Sequence, residues 1–428
     1  MVPVAAAIFD LDQTLLDTDA LRHAREQRAW GVVSRGFATV KPFRSSRFGE
    51  IEVIELVEEA RTRGLKVGVL TRGPEWYANE LLRRHGIRVD LAITGSDKYP
   101  PKPDPAGLLA VARGLGVSPQ ASVYIGDSVE DFWAAAAAGM ASVGVAWSGQ
   151  APATWHHSWP DIAIDQPATL LGYFDGDRGL GPLAEVMSVD HSPTMHWGSI
   201  LRLGNGRYAL GRYFTSEDRR CPGHGLSHLV LNAKRNPRAD AKVAAIFEAL
   251  ATLVPTRHRP ELIVSVPPAP GDARDRFAMA RATLAASYGA RDGGGLLRMS
   301  HAVDDYKQAS RAARAKLNAD RFVANAVSAK RVLLIDDVLT SGGQSAACRK
   351  ALRAAGCGSI TVVTLGVTQD QLPDACPSCG SSLVKRVRRR DGSLFFGCTA
   401  YPDCDYTQPL PARKRAQSTG ANSSQRSS

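Results

Sequence analysis

Ala5-Ala6-Ala7-Ile8-Phe9-Asp10-Leu11-Asp12-Gln13-Thr14 begins as an unbroken apolar run and ends on two aspartates two residues apart. A short run, apolar at every position and closed by acids, predicts a strand buried on both faces. Carboxylates so close repel unless a cation lies between them, so the pair predicts a shared Mg²⁺. With that charge balanced, one aspartate could attack phosphorus while the other protonates the leaving group.

The pattern repeats outward. Lys66 to Leu70 reads as a second strand ending at Thr71, and Ser122 to Ile125 as a third ending before Gly126-Asp127. Helical patterns over residues 50–63 and 75–84 lie between them. Such alternation implies a parallel sheet that binds ligands beyond the carboxyl ends of its strands. In that position the Thr71 hydroxyl could donate to a phosphoryl oxygen, and Lys102, in Lys102-Pro103-Asp104-Pro105, could offset charge on the nucleophile and phosphate. Asp127 and Asp131, in Gly126-Asp127-Ser128-Val129-Glu130-Asp131, could complete the metal shell.

Together these four motifs resemble the haloacid dehalogenase (HAD) superfamily of phosphatases, across residues 1–173. The resemblance implies Asp10 as nucleophile, Asp12 as general acid/base, and Mg²⁺ held by Asp10, Asp12 and Asp127. Gln13 stands where the family more usually has glycine. The stretch from Thr71 to Lys102 leaves no room for a large cap domain. A short insert between Thr14 and Glu50 carries Arg22, Arg25, Arg28, Arg35, Lys41, Arg44 and Arg47 against Glu26 and Glu50. Those cations either edge an open site suited to a bulky anion, such as a nucleotide or a nucleic-acid end, or form a solvated basic face.

Residues 174–199, rich in Gly, Asp, His and Pro, read as a linker. A second α/β unit is expected over 200–370, with strands Leu262 to Val266, Val332 to Ile335 and Ser359 to Leu365, and a helix from Ser345 to Ala355. The middle strand runs into Asp336-Asp337, two carboxylates that could accept hydrogen bonds from a ribose's vicinal hydroxyls. Thr340-Ser341-Gly342-Gly343-Gln344-Ser345 follows at a helix start, where backbone N–H groups and hydroxyls face a phosphate. This loop resembles the diphosphoribose (PRPP) loop of type I phosphoribosyltransferases. Ile263 to Pro268, with Arg274, Arg276, Lys307-Gln308 and residues 311–318, is similar to the competence-associated (ComF-like) branch. The resemblance implies PRPP as co-substrate, Mg²⁺, and pyrophosphate near residues 267–276. That branch usually carries a cysteine module before the domain, whereas here the cysteines follow it.

Cys376, Cys379, Cys398 and Cys404 form two knuckles, C-x2-C and C-x5-C, as four thiolates around tetrahedral Zn²⁺ require. Arg388, Arg389, Arg390, Phe395, Phe396 and Tyr401 join phosphate-tracking cations to base-stacking aromatics, which suits single-stranded nucleic acid. Residues 374–408 closely resemble the C-terminal C4 zinc ribbons of type IA DNA topoisomerases. A ribbon that mediates protein contacts is the alternative. The basic tail, 409–428, is expected to be disordered. Cys221-Pro222-Gly223-His224 and His228 lack a nearby fourth ligand and read as a loop, and Cys348 and Cys357 read as core.

The 428 residues thus divide into two Rossmann-like parallel-sheet domains, HAD-like and type I phosphoribosyltransferase, plus a small zinc ribbon. The net charge of +11 favours anionic partners, while an odd seven cysteines suit reduced thiols in a cytoplasm rather than a disulfide framework. No apolar run reaches the roughly 18 residues of a membrane span. The expected function is a bifunctional enzyme: a Mg²⁺-dependent phosphomonoester hydrolase joined to a PRPP-dependent transferase. Its partners would be a nucleotide or ribosyl phosphate, and DNA or another single strand held by the ribbon. A PRPP-sensing nucleic-acid-binding regulator and a DNA end-repair accessory are the alternatives.

Overall fold

The computed structural model describes residues 3–43, 52–147, 151–252, 258–268, 274–300, 321–388, 390 and 393–409. The opening apolar run forms β1 (Ala6–Phe9), all four of whose residues are fully buried. It lies at the centre of a six-stranded sheet with β2 (Lys66–Leu70), β3 (Leu91–Ile93), β4 (Ser122–Gly126), β5 (Ala141–Val145) and β6 (Ile162–Ile164), in the order β3-β2-β1-β4-β5-β6. Every neighbouring pair is parallel. Phe9 is in register with Val69 on one side and Ile125 on the other, which brings Asp10, Thr71 and Asp127 to one carboxyl edge. Separate cores cover the two faces, one built around Phe9, Val69 and Leu56, the other around Ile8, Leu108 and Tyr124.

The second unit holds a seven-stranded sheet. Its strands are β7 (Leu201–Arg202), β8 (Arg207–Ala209), β9 (Arg212–Tyr213), β10 (Leu262–Ser265), β11 (Arg291–Asp292), β12 (Ala329–Leu339) and β13 (Cys357–Thr368). The order is β11-β10-β12-β13-β8-β7, with β9 also on β13, and only the β7–β8 pair is antiparallel. The strands and the helix Gly343–Ala354 lie where the sequence pattern places them; β12 and β13 run a few residues longer, β10 ends one residue sooner, and the helix begins two residues earlier. Cys348 and Cys357 are buried in this unit's core, as read.

The linker reading of 174–199 is corrected. Those residues contain the helix Leu183–Ser188, whose Leu183 and Ala184 are fully buried in the second unit's core. The Gly and His content that suggested a free chain reflects close packing instead: a Cβ on Gly198 would lie 1.8 Å from the Ala163 carbonyl oxygen. The two sheets are joined by a shared core that includes Phe132, Trp155, Trp159, Leu201 and Val367. Arg212 spans the junction, 2.8 Å from Asp161 and 2.7 Å from Glu185.

The C-terminal segment is a three-stranded antiparallel sheet, β14 (Leu383–Val387), β15 (Leu394–Cys398) and β16 (Thr407–Pro409). Residues 410–428, read as a tail, lie outside the described residues, as do Arg44, Arg47, Lys307, Gln308 and 311–318. No described helix is long and apolar enough to cross a membrane.

Candidate active site and zinc ribbon

Asp10 leaves β1 at the sheet edge and is 6 % exposed. Lys102 reaches it at 2.8 Å and also donates to Asp131 at 2.5 Å and Tyr124 at 2.9 Å. All four groups are buried, so the ammonium is fixed between two carboxylates rather than free to sample solvent. Burial opposes a charged Lys102, but Asp10 and Asp131 hold its pKa well above the ordinary value. Burial pushes the Asp10 carboxyl up to about 7, against Lys102, with Asp131 and Asp12 adding to the rise. Burial, with Asp10 and Asp131, likewise lifts Asp127 to about 8. Burial would raise Asp131 too, but Lys102 and Ser128 hold it below the usual carboxylate range.

Asp131 uses both oxygens within the protein. Its Oδ1 accepts from Lys102 and Tyr124, and its Oδ2 from the Ser128 amide at 2.9 Å and hydroxyl at 2.7 Å, a capping box on the helix Val129–Ala138. Asp10, Asp127 and Asp131 bring carboxylate oxygens within 4.8 Å of one another. An all-oxygen set of hard ligands fits Mg²⁺, and the raised affinity of Asp10 and Asp127 for protons marks a site short of positive charge. Asp10 and Asp127 would hold the cation, with Asp131 tied to Lys102 beside them.

The carboxylate of Asp12 is outside that cluster. Its Oδ1 accepts from Tyr77 at 2.6 Å and Thr18 at 2.8 Å and pairs with Arg25 at 2.7 Å, while Thr71 lies 3.5 Å from its Oδ2. The Asp12 carboxylate is thus turned away from the predicted metal shell, toward Tyr77, Thr18 and Arg25. Arg25, one of the insert's basic residues, is part of this arrangement and not merely a solvated cation. Tyr77 was missed because it fits the buried face of the helix Glu75–Arg84, and Thr18 because it lies between elements. A fully buried tyrosine hydroxyl needing a partner was the available signal. Thr71 is 3 % exposed, and its hydroxyl accepts from the Gly73 amide at 3.1 Å. Gln13 adopts φ +63°, the left-handed conformation that explains glycine's usual place there.

In the second unit, β12 carries Asp336 and Asp337 to its carboxyl end. Burial and Asp337 raise Asp336 well above the ordinary value. Asp337 pairs with Arg276 at 2.9 Å and lies 3.8 Å from Lys234; against burial, these cations keep its carboxyl low. Thr340 and Ser341 are exposed. Gly342, at φ +75°, caps the helix Gly343–Ala354, and Gln344 follows in its first turn. Ser345 is buried and donates to the Gly342 carbonyl at 3.0 Å. Residues 269–273 of the expected pyrophosphate loop lie outside the described residues.

Cys376, Cys379, Cys398 and Cys404 converge from the two knuckles with sulfurs within 4.8 Å of one another. The Cys379–Cys398 and Cys376–Cys404 pairs stand at 3.4 and 3.8 Å. A tetrahedron with Zn–S bonds of about 2.3 Å has edges of about 3.8 Å, so the four thiols fit zinc. Arg388 lies over Phe395 at 5.3 Å and Arg386 over Tyr401 at 5.8 Å. Tyr401 is 63 % exposed, and Arg390 is exposed; Arg389 is outside the described residues. Phe396 is partly buried and packs against the ribbon core. Among the described residues Cys221, His224 and His228 belong to no group placed to hold a metal ion, and His224 caps the helix Gly225–Ala233.

Residues 51–139 match the haloacid dehalogenase-like hydrolase family, and residues 374–413 the topoisomerase DNA binding C4 zinc finger family. A phosphoglycolate phosphatase of Pseudomonas putida is 36% identical over 139 residues, 32% of this chain and 51% of that protein. One from Escherichia coli is 33% identical over 121 residues, 28% of this chain and 48% of its own length. The pyrophosphatase PpaX of Bacillus velezensis is 25% identical over 205 residues, 39% of this chain and 95% of its own. The chain spans about half the length of the phosphoglycolate phosphatases it matches. A HAD phosphatase structure from Thermococcus onnurineus aligns with 41% of this chain and 99% of its own, at 22% identity and a TM-score of 0.34. The chain therefore carries a haloacid dehalogenase-like hydrolase domain and a topoisomerase-type C4 zinc ribbon.

Proposed function

We propose that the N-terminal unit hydrolyses a phosphomonoester, and the observation that carries this is the buried Asp10–Lys102–Asp131 arrangement beside Asp127. Mg²⁺ held by Asp10 and Asp127 would supply charge to the transferring phosphoryl group. Asp10 attacks phosphorus, the P–O bond to the leaving group breaks, and Asp12 delivers a proton to the departing oxygen. Water then attacks the aspartyl-phosphate, giving its proton to Asp12 and releasing phosphate from Asp10. Lys102 offsets negative charge on Asp10 and the phosphoryl oxygens, and Asp131 keeps it in place. Thr71 donates its hydroxyl to a phosphoryl oxygen. The matched relatives make small phosphorylated acids and pyrophosphate the first compounds to assay. Phosphate release with Mg²⁺ across nucleotides, sugar phosphates, phosphoglycolate, pyrophosphate, PRPP and phosphorylated oligonucleotides, with Asp10→Asn as control, tests the reading. No Asp10-dependent release from any of them overturns it.

A second reading concerns the loop from Asp336 to Ser345, which neither matched stretch includes. An acid pair at a strand end, then exposed hydroxyls at the start of a 12-residue helix, suits a ribose phosphate. We propose that Asp336, Asp337, Thr340, Ser341, Gly342, Gly343, Gln344 and Ser345 bind PRPP with Mg²⁺. Calorimetric titration with PRPP checks this: Asp10→Asn is expected to bind as the parent does, and Thr340→Ala more weakly. Pyrophosphate exchange would mark a transferase, and PRPP-dependent DNA affinity without exchange a cytoplasmic regulator. The cation–aromatic pairs of the ribbon support binding of single-stranded DNA.

A further inference from the structure

The ribbon is docked on the hydrolase unit, and it touches the loop that carries Lys102. Asp104 is 2 % exposed. Its Oδ1 accepts from the Ala106 amide at 2.9 Å, at the start of the helix Ala106–Leu115. Its Oδ2 accepts from the Ser382 amide at 2.7 Å and the Thr399 hydroxyl at 3.1 Å. Ser382 and Thr399, both buried, flank β14 and β15, and Thr399 is the neighbour of Cys398. A buried carboxylate is stable only with its lone pairs filled, so this contact is specific rather than incidental. The ribbon's own core is small, Cys376, Leu383 and Cys398, and such a segment folds on its metal. Zinc, the Asp104 contact and the Lys102 loop are therefore physically linked.

Docking also walls one side of an open cavity of about 670 Å³. One side is Arg72 and Lys102, on loops of the hydrolase site, with Glu130 and Trp133 of the helix Val129–Ala138; the other is Leu383, Val384 and Phe396 of the ribbon, with the segment that leads into it, including Leu372 and Pro373, between them. Arg72 donates to the Lys102 carbonyl, which ties two of these loops together. Between Thr71 and Lys102 the hydrolase supplies only the helix Glu75–Arg84 and β3, and Leu383, Val384 and Phe396 of the ribbon complete an apolar lining that Trp133, Leu372 and Pro373 begin.

We propose that the zinc ribbon is the lid of the hydrolase in cis. It holds the Lys102 loop through Asp104 and lines, with Val384 and Phe396, the chamber that receives the leaving group. The substrate part of this inference rests on the hydrolase reading; the docking part does not. A chamber of this size with an apolar wall selects a phosphomonoester with a nucleoside-sized, ring-bearing leaving group over a two- or three-carbon one.

The test uses the full zinc-loaded chain. Phe396→Leu is expected to raise KM for nucleoside monophosphates about fivefold and leave glycerol phosphate within twofold. Equal effects on both, or on neither, would overturn the lid. Should Phe396→Leu lose zinc, Val384→Thr makes the same comparison with the ribbon intact. Hydrogen exchange at the Asp104 and Ala106 amides is measured in parallel. It is expected to accelerate at least about tenfold on zinc chelation and to a lesser degree in Thr399→Val. Unchanged exchange on chelation would overturn the docking. If the parent chain shows no Asp10-dependent release, the hydrolase reading fails, and exchange alone decides whether the ribbon is docked.

Discussion

Asp10 and Asp12 are two residues apart, yet their surroundings differ in kind. Asp10 faces Lys102 and the carboxylates of Asp127 and Asp131, whereas Asp12 faces Tyr77, Thr18 and Arg25. Asp10→Asn, which keeps the shape and removes the nucleophile, is expected to lower phosphate release by at least about a thousandfold. Arg25→Ala should act differently: Asp12 loses the cation that fixes its orientation, and kcat is expected to fall about tenfold with the fold unchanged. The sequence motif makes both aspartates legible, because paired acids after an apolar run have few other uses. Arg25 is less so, since in sequence it is one arginine among many, and only the folded insert shows which one turns inward.

Among the elements, the helix Val129–Ala138 does most to position the site. Its capping box sets Asp131, and Asp131 in turn sets Lys102. Gly126 permits this, for a Cβ there would lie 2.6 Å from the Asp131 carboxyl carbon. Gly126→Ala is therefore expected to push Asp131 off Lys102 and lower kcat roughly a hundredfold, with secondary structure by circular dichroism unchanged. Strands β1, β2 and β4 of the hydrolase unit were legible in the sequence, because almost all their residues are buried apolar ones, whereas β3, β5 and β6 and the helices Ala106–Leu115 and Val129–Ala138 were not read there. Nor was the segment 174–199. Its helix Leu183–Ser188 is too short for a periodic signal, and its glycines follow contacts made by residues far away in sequence.

At the scale of the whole molecule, the two sheets meet at Arg212, and that junction carries a pH dependence. Burial would raise the Glu185 carboxyl, but Arg212 and His224 hold it far below its ordinary value of 4.5. A depressed carboxyl adds stability above its unfolded pKa, and that stability is lost as pH falls through the folded one. Stability is therefore expected to decline from about pH 4.5 downward, read as a falling urea midpoint. Arg212→Met should cost about 3 kcal/mol at neutral pH, because Asp161 and Glu185 lose their shared cation, and should flatten this acid dependence. Nothing in the sequence pairs Arg212 with residues from the other unit. Such contacts depend on how the two sheets are set against each other.

The segment after β13 is fastened before it reaches the ribbon: His157 lies 2.9 Å from the Thr368 carbonyl, and Gln369 accepts from the Trp159 amide at 2.7 Å. Only a few residues separate that anchorage from Cys376. A ribbon that lets go of Asp104 is thus never dilute with respect to it. A short tether holds its partner at an effective concentration on the order of millimolar, so an intrinsic dissociation constant of about 0.1 mM would still leave roughly nine-tenths of molecules closed. Contacts too weak to join two separate proteins suffice here, and because the equilibrium is intramolecular, dilution does not shift it.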